Sequence, residues 1–505
     1  MKYCFLLTFF LSICHGLYAQ KHDYVWVMGD DNQLLDTTFG GSLMDFNFNP
    51  AKIKYNYREL NLFVCNTSMC DSFGKFLFYT NGCKISTAND EIMLNGEDLN
   101  PGYVHNISCD DGYTSGFQSS LALLQPNSDK IYYLFHKKVD YTFNPLDKFT
   151  DQLLYSIIDM SANNGRGEVI AKNVEIMGDD IAFGEMTAVK HANGIDWWLV
   201  TPKDNSNSWY SFLFTQDGIV DTLVQTIGTP PRIMASGGIQ ICFSPDGSKL
   251  FRTNPQLAIK AYDFDRNNGQ FTGFDTISVD YHNYPNLVSA YCAVSPNGRY
   301  LYMNTALYVF QFDLLASDVS ASQTIVAEWD GFQEPIGTTF GAMQLGPDCK
   351  IYIATIDSKY YHVIHHPDEA GVACEVEQRG VVFPTRTGSS IPFFPNYRLG
   401  SSTNPGLPCT SMVGTETPLP TGGSALSVYP NPATESIKII INQALPTSAT
   451  WHLYDGWGRT VRSEALRPDR GICLQVDIRD LVPGLYFWSV DGMSRGLGGK
   501  IVVQH

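Results

Sequence analysis

Ser244-Pro-Asp-Gly-Ser-Lys-Leu-Phe251 and Ser295-Pro-Asn-Gly-Arg-Tyr-Leu-Tyr302 are one phrase written twice. Proline presets φ for a tight turn, and glycine supplies the position that needs φ > 0. A run of β-branched, aromatic and aliphatic residues follows, apolar on both faces, as in a sheet packed between two others. Four further segments repeat the pattern: Ser72-Phe-Gly-Lys-Phe-Leu-Phe-Tyr79, Pro126-Asn-Ser-Asp-Lys-Ile-Tyr-Tyr-Leu134, His191-Ala-Asn-Gly-Ile-Asp-Trp-Trp-Leu-Val200 and Gly346-Pro-Asp-Cys-Lys-Ile-Tyr-Ile353. Their first strand residues, Phe76, Ile131, Trp197, Leu250, Leu301 and Ile351, are spaced by 55, 66, 53, 51 and 50.

Further strands lie between the phrases, for example Ile259-Lys-Ala-Tyr-Asp-Phe264 and Leu307-Tyr-Val-Phe-Gln-Phe312. A period near 50 with about four strands is one propeller blade, and a single blade cannot bury its own faces. Residues 20–400 at about 52 per blade give about seven blades. Six carry the phrase. The seventh is expected to join Tyr24-Val-Trp-Val27 and Leu43-Met-Asp-Phe46 to strands near the domain's end, closing the ring. A series of β-sandwiches does not predict one phrase at constant spacing, and a β-helix has much shorter repeats.

Composition agrees. Charged residues are 17% of the 505, aromatics 13%, and there are 43 Gly and 26 Pro, which suits many short strands and tight turns. The net charge of −17 gives no general attraction to nucleic acid or to an anionic membrane.

The phrases at Ser244 and Ser295 resemble the repeats of WD-like and lactonase-type propellers. Residues 24–399 as a whole resemble a family of exported bacterial propellers. The carrying stretches are Gly74-Lys-Phe-Leu-Phe-Tyr-Thr-Asn-Gly82, Leu154-Tyr-Ser-Ile-Ile-Asp-Met160, Met186-Thr-Ala-Val-Lys-His191, Ala342-Met-Gln-Leu-Gly-Pro-Asp348 and Pro392-Phe-Phe-Pro-Asn-Tyr-Arg-Leu-Gly400. The last repeat departs at Cys349, where glycine is usual.

Two addresses bracket this body. Residues 1–19 read as a secretory signal peptide, with Lys2 as the basic flank, Phe5 to Ile13 as the apolar stretch and Leu17-Tyr18-Ala19 before the cleavage point. No later stretch approaches 18 uninterrupted apolar residues, so the mature chain is expected to lack a transmembrane segment. Residues 401–424, rich in Pro, Gly, Ser and Thr, read as a linker. Residues 425–505 hold 8 basic and 7 acidic residues against 25 and 44 in 20–424, so the acidity belongs to the propeller side.

Alternating runs in 425–505, separated by turn residues, predict a small immunoglobulin-like β-sandwich. This tail resembles the C-terminal sorting domain of type IX secretion. The matching residues are Tyr429, Pro430, Asn431 and Pro432, then Gly458, Gly484 and Tyr486, and the closing Lys500-Ile-Val-Val503. The resemblance implies the type IX machinery as a partner. It also implies passage through the outer membrane of a Gram-negative bacterium, via the periplasm, to a secreted or surface location.

Export permits disulfides. Ten cysteines remain beyond residue 19, and Cys65–Cys70 and Cys374–Cys409 are the candidate pairs. Cys242 and Cys292, in apolar strands, read as buried thiols. No Cys-x-x-Cys occurs, so no metal site and no cofactor is expected. No Gly-x-Ser-x-Gly, His-Glu-x-x-His or phosphate loop occurs either. His362-Val-Ile-His-His366 reads as a strand running into a solvated loop. Asp263-Phe-Asp-Arg-Asn-Asn-Gly269 resembles a calcium loop with glycine one place late, and an Asx-rich hairpin explains it better. Gly178-Asp-Asp180 and Gly29-Asp-Asp31 read as acidic turns. Asp36-Thr37-Thr38, Asp221-Thr222-Leu223 and Asp275-Thr276-Ile277 resemble short bacterial O-glycosylation acceptors.

Glu185, Lys190 and His191 sit on or beside an innermost strand and are the candidates for ligand contact at a channel mouth. The reading is a binding module for an extracellular protein or glycan. The alternative is a lactonase-like or glycan-cleaving enzyme using Glu185 and His191.

Overall fold

The computed structural model describes residues 20–30, 38–113, 115–141, 148–230, 239–253, 258–281, 290–388, 391–406, 409, 426–429, 433, 436–441, 450–455, 458–465, 472–491 and 497–504. The signal peptide at 1–19 lies outside them. The chain divides into two units, Met1–Met412 and Val413–His505.

Among the described residues the first unit holds seven antiparallel sheets, each with its strands in chain order. The first two sheets have three strands and the others four. The first strands are Val25–Gly29, Thr67–Cys70, Ser120–Leu124, Thr187–Lys190, Ile241–Phe243, Tyr291–Val294 and Met343–Leu345. They lie against one another between sheets one and two, two and three, four and five, five and six, and six and seven. Between sheets three and four the backbone does the same work: Glu185 N donates to Phe117 O at 3.2 Å and Met186 N to Gln118 O at 3.1 Å. The body is therefore all-β and propeller-like, with first strands innermost.

The repeated phrase is the turn between first and second strands. In all six copies the opening carbonyl accepts from the N–H three residues on, at 2.8–3.1 Å: Asp71–Gly74, Gln125–Ser128, His191–Gly194, Ser244–Gly247, Ser295–Gly298 and Gly346–Cys349. Gly247 and Gly298 take φ of 73° and 75°, and Cys349 takes 66° in the same place. A side chain there is strained. It is retained because Cys349 is bonded to Cys409, closing 60 residues of chain. The second strands that follow are fully buried in Trp197–Pro202, Tyr300–Asn304 and Ile351–Ala354. The first sheet lacks the phrase: eleven residues, 30–40, separate its first strand from Gly41–Asp45.

Among the described residues no strand pairing of the two termini closes the body, contrary to expectation. The first sheet is built from N-terminal strands alone. Side chains and a backbone hydrogen bond join it to the seventh instead: Trp26 and Phe46 pack on Tyr352 at 5.3 and 5.7 Å between ring centroids, Ser42 Oγ meets Thr385 Oγ1 at 2.7 Å, and Arg386 N donates to Thr38 O at 2.9 Å.

Neither expected disulfide forms. Cys65, Cys70 and Cys374 are buried free thiols, and the bonds are Cys83–Cys109 and Cys349–Cys409. Thr67–Cys70 is a strand, and an extended run carries residues five apart well beyond the roughly 5.5–6 Å that a bridge spans. The stretch read as linker begins inside the first unit: Ser402 N donates to Ala192 O at 2.9 Å, and Cys409 is tied back to Cys349. Replacing Cys349 and Cys409 by serine is expected to lower stability by about 2–4 kcal/mol in denaturant melts. Cys349→Gly with Cys409→Ser should lose about 1 kcal/mol less, because glycine relieves the left-handed backbone.

Among its described residues the second unit has two sheets, Leu426–Tyr429, Ser436–Ile441 and Ile472–Asp477 in one, and Thr460–Ala465, Thr450–Tyr454, Gly484–Asp491 and Leu497–Val503 in the other. Ile437 and Val476 of the first share a core with Trp451, Leu453 and Ile501 of the second.

Candidate functional site

Glu185 precedes the innermost strand of sheet four with φ of +58°, a conformation that costs a non-glycine residue roughly 1–3 kcal/mol and is held only by its surroundings. Its carboxylate accepts from Arg252 Nε at 2.7 Å and Nη2 at 2.8 Å, and both side chains are 7% exposed. Arg252 ends the second strand of sheet five, Lys249–Arg252, with its guanidinium 5.7 Å from the Trp209 ring. Beside the pair lies Lys137, fully buried, donating to Ala182 O at 2.8 Å, to Thr201 Oγ1 at 2.7 Å and to Gly184 O. Burial brings its ammonium down to about 7. Burial, then the charges of Asp180 and Glu185, push the Asp204 carboxyl up. Sheets three, four and five thus share a buried charged core at one end of their inner strands. Lys137 carried no sequence signal, since it stands in an apolar strand whose inward register only the fold reveals.

Lys190 and His191 flank the other end of Thr187–Lys190, a strand spanning roughly 13 Å. They do not converge with Glu185, so the pairing of Glu185 with His191 is corrected by the geometry. Lys190 lies 4.8 Å from the Trp197 ring centroid and 3.4 Å from Gly194 O. Burial, then Arg266, bring it down to about 8. His191 Nε2 donates to Asn267 O at 2.9 Å, and its Nδ1 accepts from Asn193 N at 3.1 Å. Both ring nitrogens serve the turn. Lys190, His22, Trp197 and Tyr397 line a pocket of about 180 Å³.

The centre is filled. Gln118 pairs its carboxamide with the Ile241 peptide at 2.8 and 2.9 Å, and Gln240 does the same with Met343 at 2.6 and 3.2 Å. The stretch 391–400 completes the closure: Asn396 donates to Pro245 O at 2.9 Å, Tyr397 to Ala122 O at 2.7 Å, and Arg398 pairs with Asp23 at 2.6 Å. A cavity of about 90 Å³ remains between these groups, walled by Cys242, Cys292 and Phe394 among others. Small-molecule sites run to roughly 300–1,000 Å³.

The histidine cluster disperses. His362 is buried in a strand, with its Nε2 on Thr338 O at 3.0 Å, and burial lowers it to about 4. His365 and His366 meet Glu377 at 2.7 Å and Glu375 at 3.2 Å. The Asx hairpin stands as read: Asp265 Oδ1 accepts from Asn267 N at 2.9 Å, and Gly269, with φ of 71°, packs on the Trp198 ring. Gly178-Asp-Asp180 is not a turn but part of the strand Glu168–Ile181, where Asp179 pairs with Lys203 at 2.8 Å. Asp31 and Thr37 lie outside the described residues. Thr222 and Thr276 are exposed on outermost strands.

In the second unit, Tyr486 is buried and its hydroxyl donates to Val482 O at 2.8 Å. Gly458, with φ of 78°, closes a turn on Asp455 O at 2.9 Å. Lys500 is exposed on the closing strand and Gly484 opens the strand it pairs with. Tyr429 lies in the first strand, and Pro430, Asn431 and Pro432 lie outside the described residues.

The chain thus joins an all-β, propeller-like body to a small two-sheet unit at its C-terminus. Residues 427–504 match the family of secretion system C-terminal sorting domains, so the chain carries the sorting address of type IX secretion, to the cell surface or outside. No curated protein sequence matches the chain. A protein from Lactobacillus plantarum is similar in structure at 12% identity, over 72% of this chain and 98% of that one, with a TM-score of 0.43. Virginiamycin B lyase from Staphylococcus aureus is similar at 10% identity, over 71% and 88%, with a TM-score of 0.34. The Dos1 propeller is similar at 10% identity, over 66% and 90%, with a TM-score of 0.31. No helix among the described residues is long and apolar enough to cross a membrane.

Proposed function

We propose that the protein is a secreted or surface-held seven-bladed β-propeller that binds an extracellular protein or glycan. In this reading residues 1–19 are the signal peptide, and residues 425–505 are an immunoglobulin-like sandwich removed or used at the outer membrane. The observation that carries the binding role is an aromatic strip on the first sheet. Tyr55 and Tyr57 are 49% and 61% exposed at the end of its outermost strand, Lys52–Asn56. Exposed Lys52 and Lys54 lie along the same strand, and Tyr57 follows its last residue, Asn56. Phe48, 51% exposed, lies 5.3 Å from the Lys52 ammonium. Large exposed aromatics with cations on an otherwise acidic body suit stacking against a sugar face or an acidic partner.

The buried Glu185, Arg252 and Lys137 favour a second reading, an enzyme, through the strained backbone at Glu185 and the lowered Lys137. The test is binding of the secreted protein to arrays of glycans and surface polymers. Saturable binding that falls about tenfold or more in Tyr55→Ala/Tyr57→Ala supports the binder. Turnover of a bound polymer that Glu185→Gln abolishes supports the enzyme instead.

A further inference from the structure

We propose that Cys242 and Cys292 are a disulfide-forming pair, a third covalent staple that joins sheets five and six at the centre of the body. Their Sγ atoms stand 3.2 Å apart, with 50 residues between them. At that distance one thiol donates a hydrogen bond to the other, so the two sulfurs already face each other. Each cysteine is the second residue of an innermost strand, and they stand one residue apart in the repeat, Cys242 two before Ser244 and Cys292 three before Ser295. Those strands lie side by side, and a parallel bridge between Ile239 and Ala290 sets their alignment just before the cysteines. Both line the central cavity, where Cys242 is half-buried and Cys292 buried. The other described free thiols, Cys65, Cys70 and Cys374, are buried at separate places in the body, and Cys65 meets a serine hydroxyl, Ser120 Oγ at 3.2 Å.

The chemistry is exchange with a small-molecule disulfide such as oxidised glutathione as the ring closes. The Cys242 thiolate attacks one sulfur and releases a glutathione thiolate. The Cys292 thiolate then attacks the mixed disulfide at Cys242 and releases the second. Two protein thiols are oxidised, one glutathione disulfide is reduced to two thiols, and the two protons pass to those thiols. Cys242 is only half-buried whereas Cys292 is buried, so the small disulfide reaches Cys242 first. The pairing stands on the geometry of the two strands and does not depend on the binding role.

The experiment refolds the full chain from guanidinium in mixed oxidised and reduced glutathione, alkylates it in denaturant, and digests it with trypsin without reduction. Peptides 233–249 and 267–299 carry the two cysteines. The expected result is one linked species, two hydrogens lighter than the sum of the two peptides. In Cys242→Ser, peptide 267–299 should then carry the alkyl label, with Cys83–Cys109 and Cys349–Cys409 still linked. Alkyl label or glutathione on both wild-type peptides, while those two bonds have formed, overturns the proposal. So does a new protein partner for Cys292 in the variant.

Discussion

Deleting residues 425–505 is expected to empty the cell exterior of this protein and leave it in the periplasm, a fall of tenfold or more on immunoblots of surface and medium fractions. The argument is structural before it is one of resemblance. The second unit buries Ile437, Trp451, Leu453, Val476 and Ile501 among themselves, in a core of its own. The first unit keeps its seven sheets, its disulfides and its central closure within Met1–Met412. Each core is drawn from its own unit, and the melting temperature of the truncated body is expected to stay within error of the full chain's. A folded body that no longer leaves the cell separates an address from a structural role. Lys500→Ala refines the result, because its side chain is exposed on the closing strand and its loss should spare the fold. Normal surface amounts of the truncated chain would remove the tail's role as an address.

What could be read in the sequence was what is local. The turn phrase needs only four consecutive residues to agree, and all six copies make the same turn. The exception at Cys349 had its explanation 60 residues away, in Cys409. Disulfide partners, ring closure and the filled centre are non-local, and spacing does not encode them. The stretch 391–400 illustrates this. Its Pro-Phe-Phe-Pro-Asn-Tyr-Arg run was recognised only as part of a resemblance. Its aromatic and polar groups in fact fit positions on sheets one, three, five and seven. Glu185 was legible as a charge beside an inner strand, but not as the partner of Arg252, 67 residues on. The run His362–His366 was legible as a strand passing into a loop, but alternation along a strand fixes which residues share a face, not which face is covered, so the burial of His362 was not.

The ring's closure makes the second large prediction. Arg398 gives Nη1 to Asp23 Oδ1 at 2.7 Å and Nη2 to Asp23 Oδ2 at 2.6 Å, with a further contact to Gln20 O at 3.2 Å. The side chains are 9% and 3% exposed. Asp23 enters the first sheet and Arg398 ends the stretch that leaves the seventh, so one bidentate pair clasps the two ends of the body. Trp26 beside it packs on Phe46, Tyr352 and Phe394 at 4.9, 5.3 and 6.0 Å. Asp23→Ala strands a buried guanidinium, and loss of one partner of such a pair costs about 3–5 kcal/mol. With the entropy of unfolding of a body this size, that is a fall of roughly 4–6 °C in melting temperature. Arg398→Met in the same chain should recover much of the loss, since two neutral groups leave no stranded charge. Arg299→Ala supplies the contrast: its pair with Asp313 is 47% and 25% exposed, and a pair so open to solvent is screened and adds little. If Asp23→Ala cost no more than Arg299→Ala, the aromatic contacts of Trp26 and Tyr352 would hold the ring closed alone, and the clasp would be incidental to it.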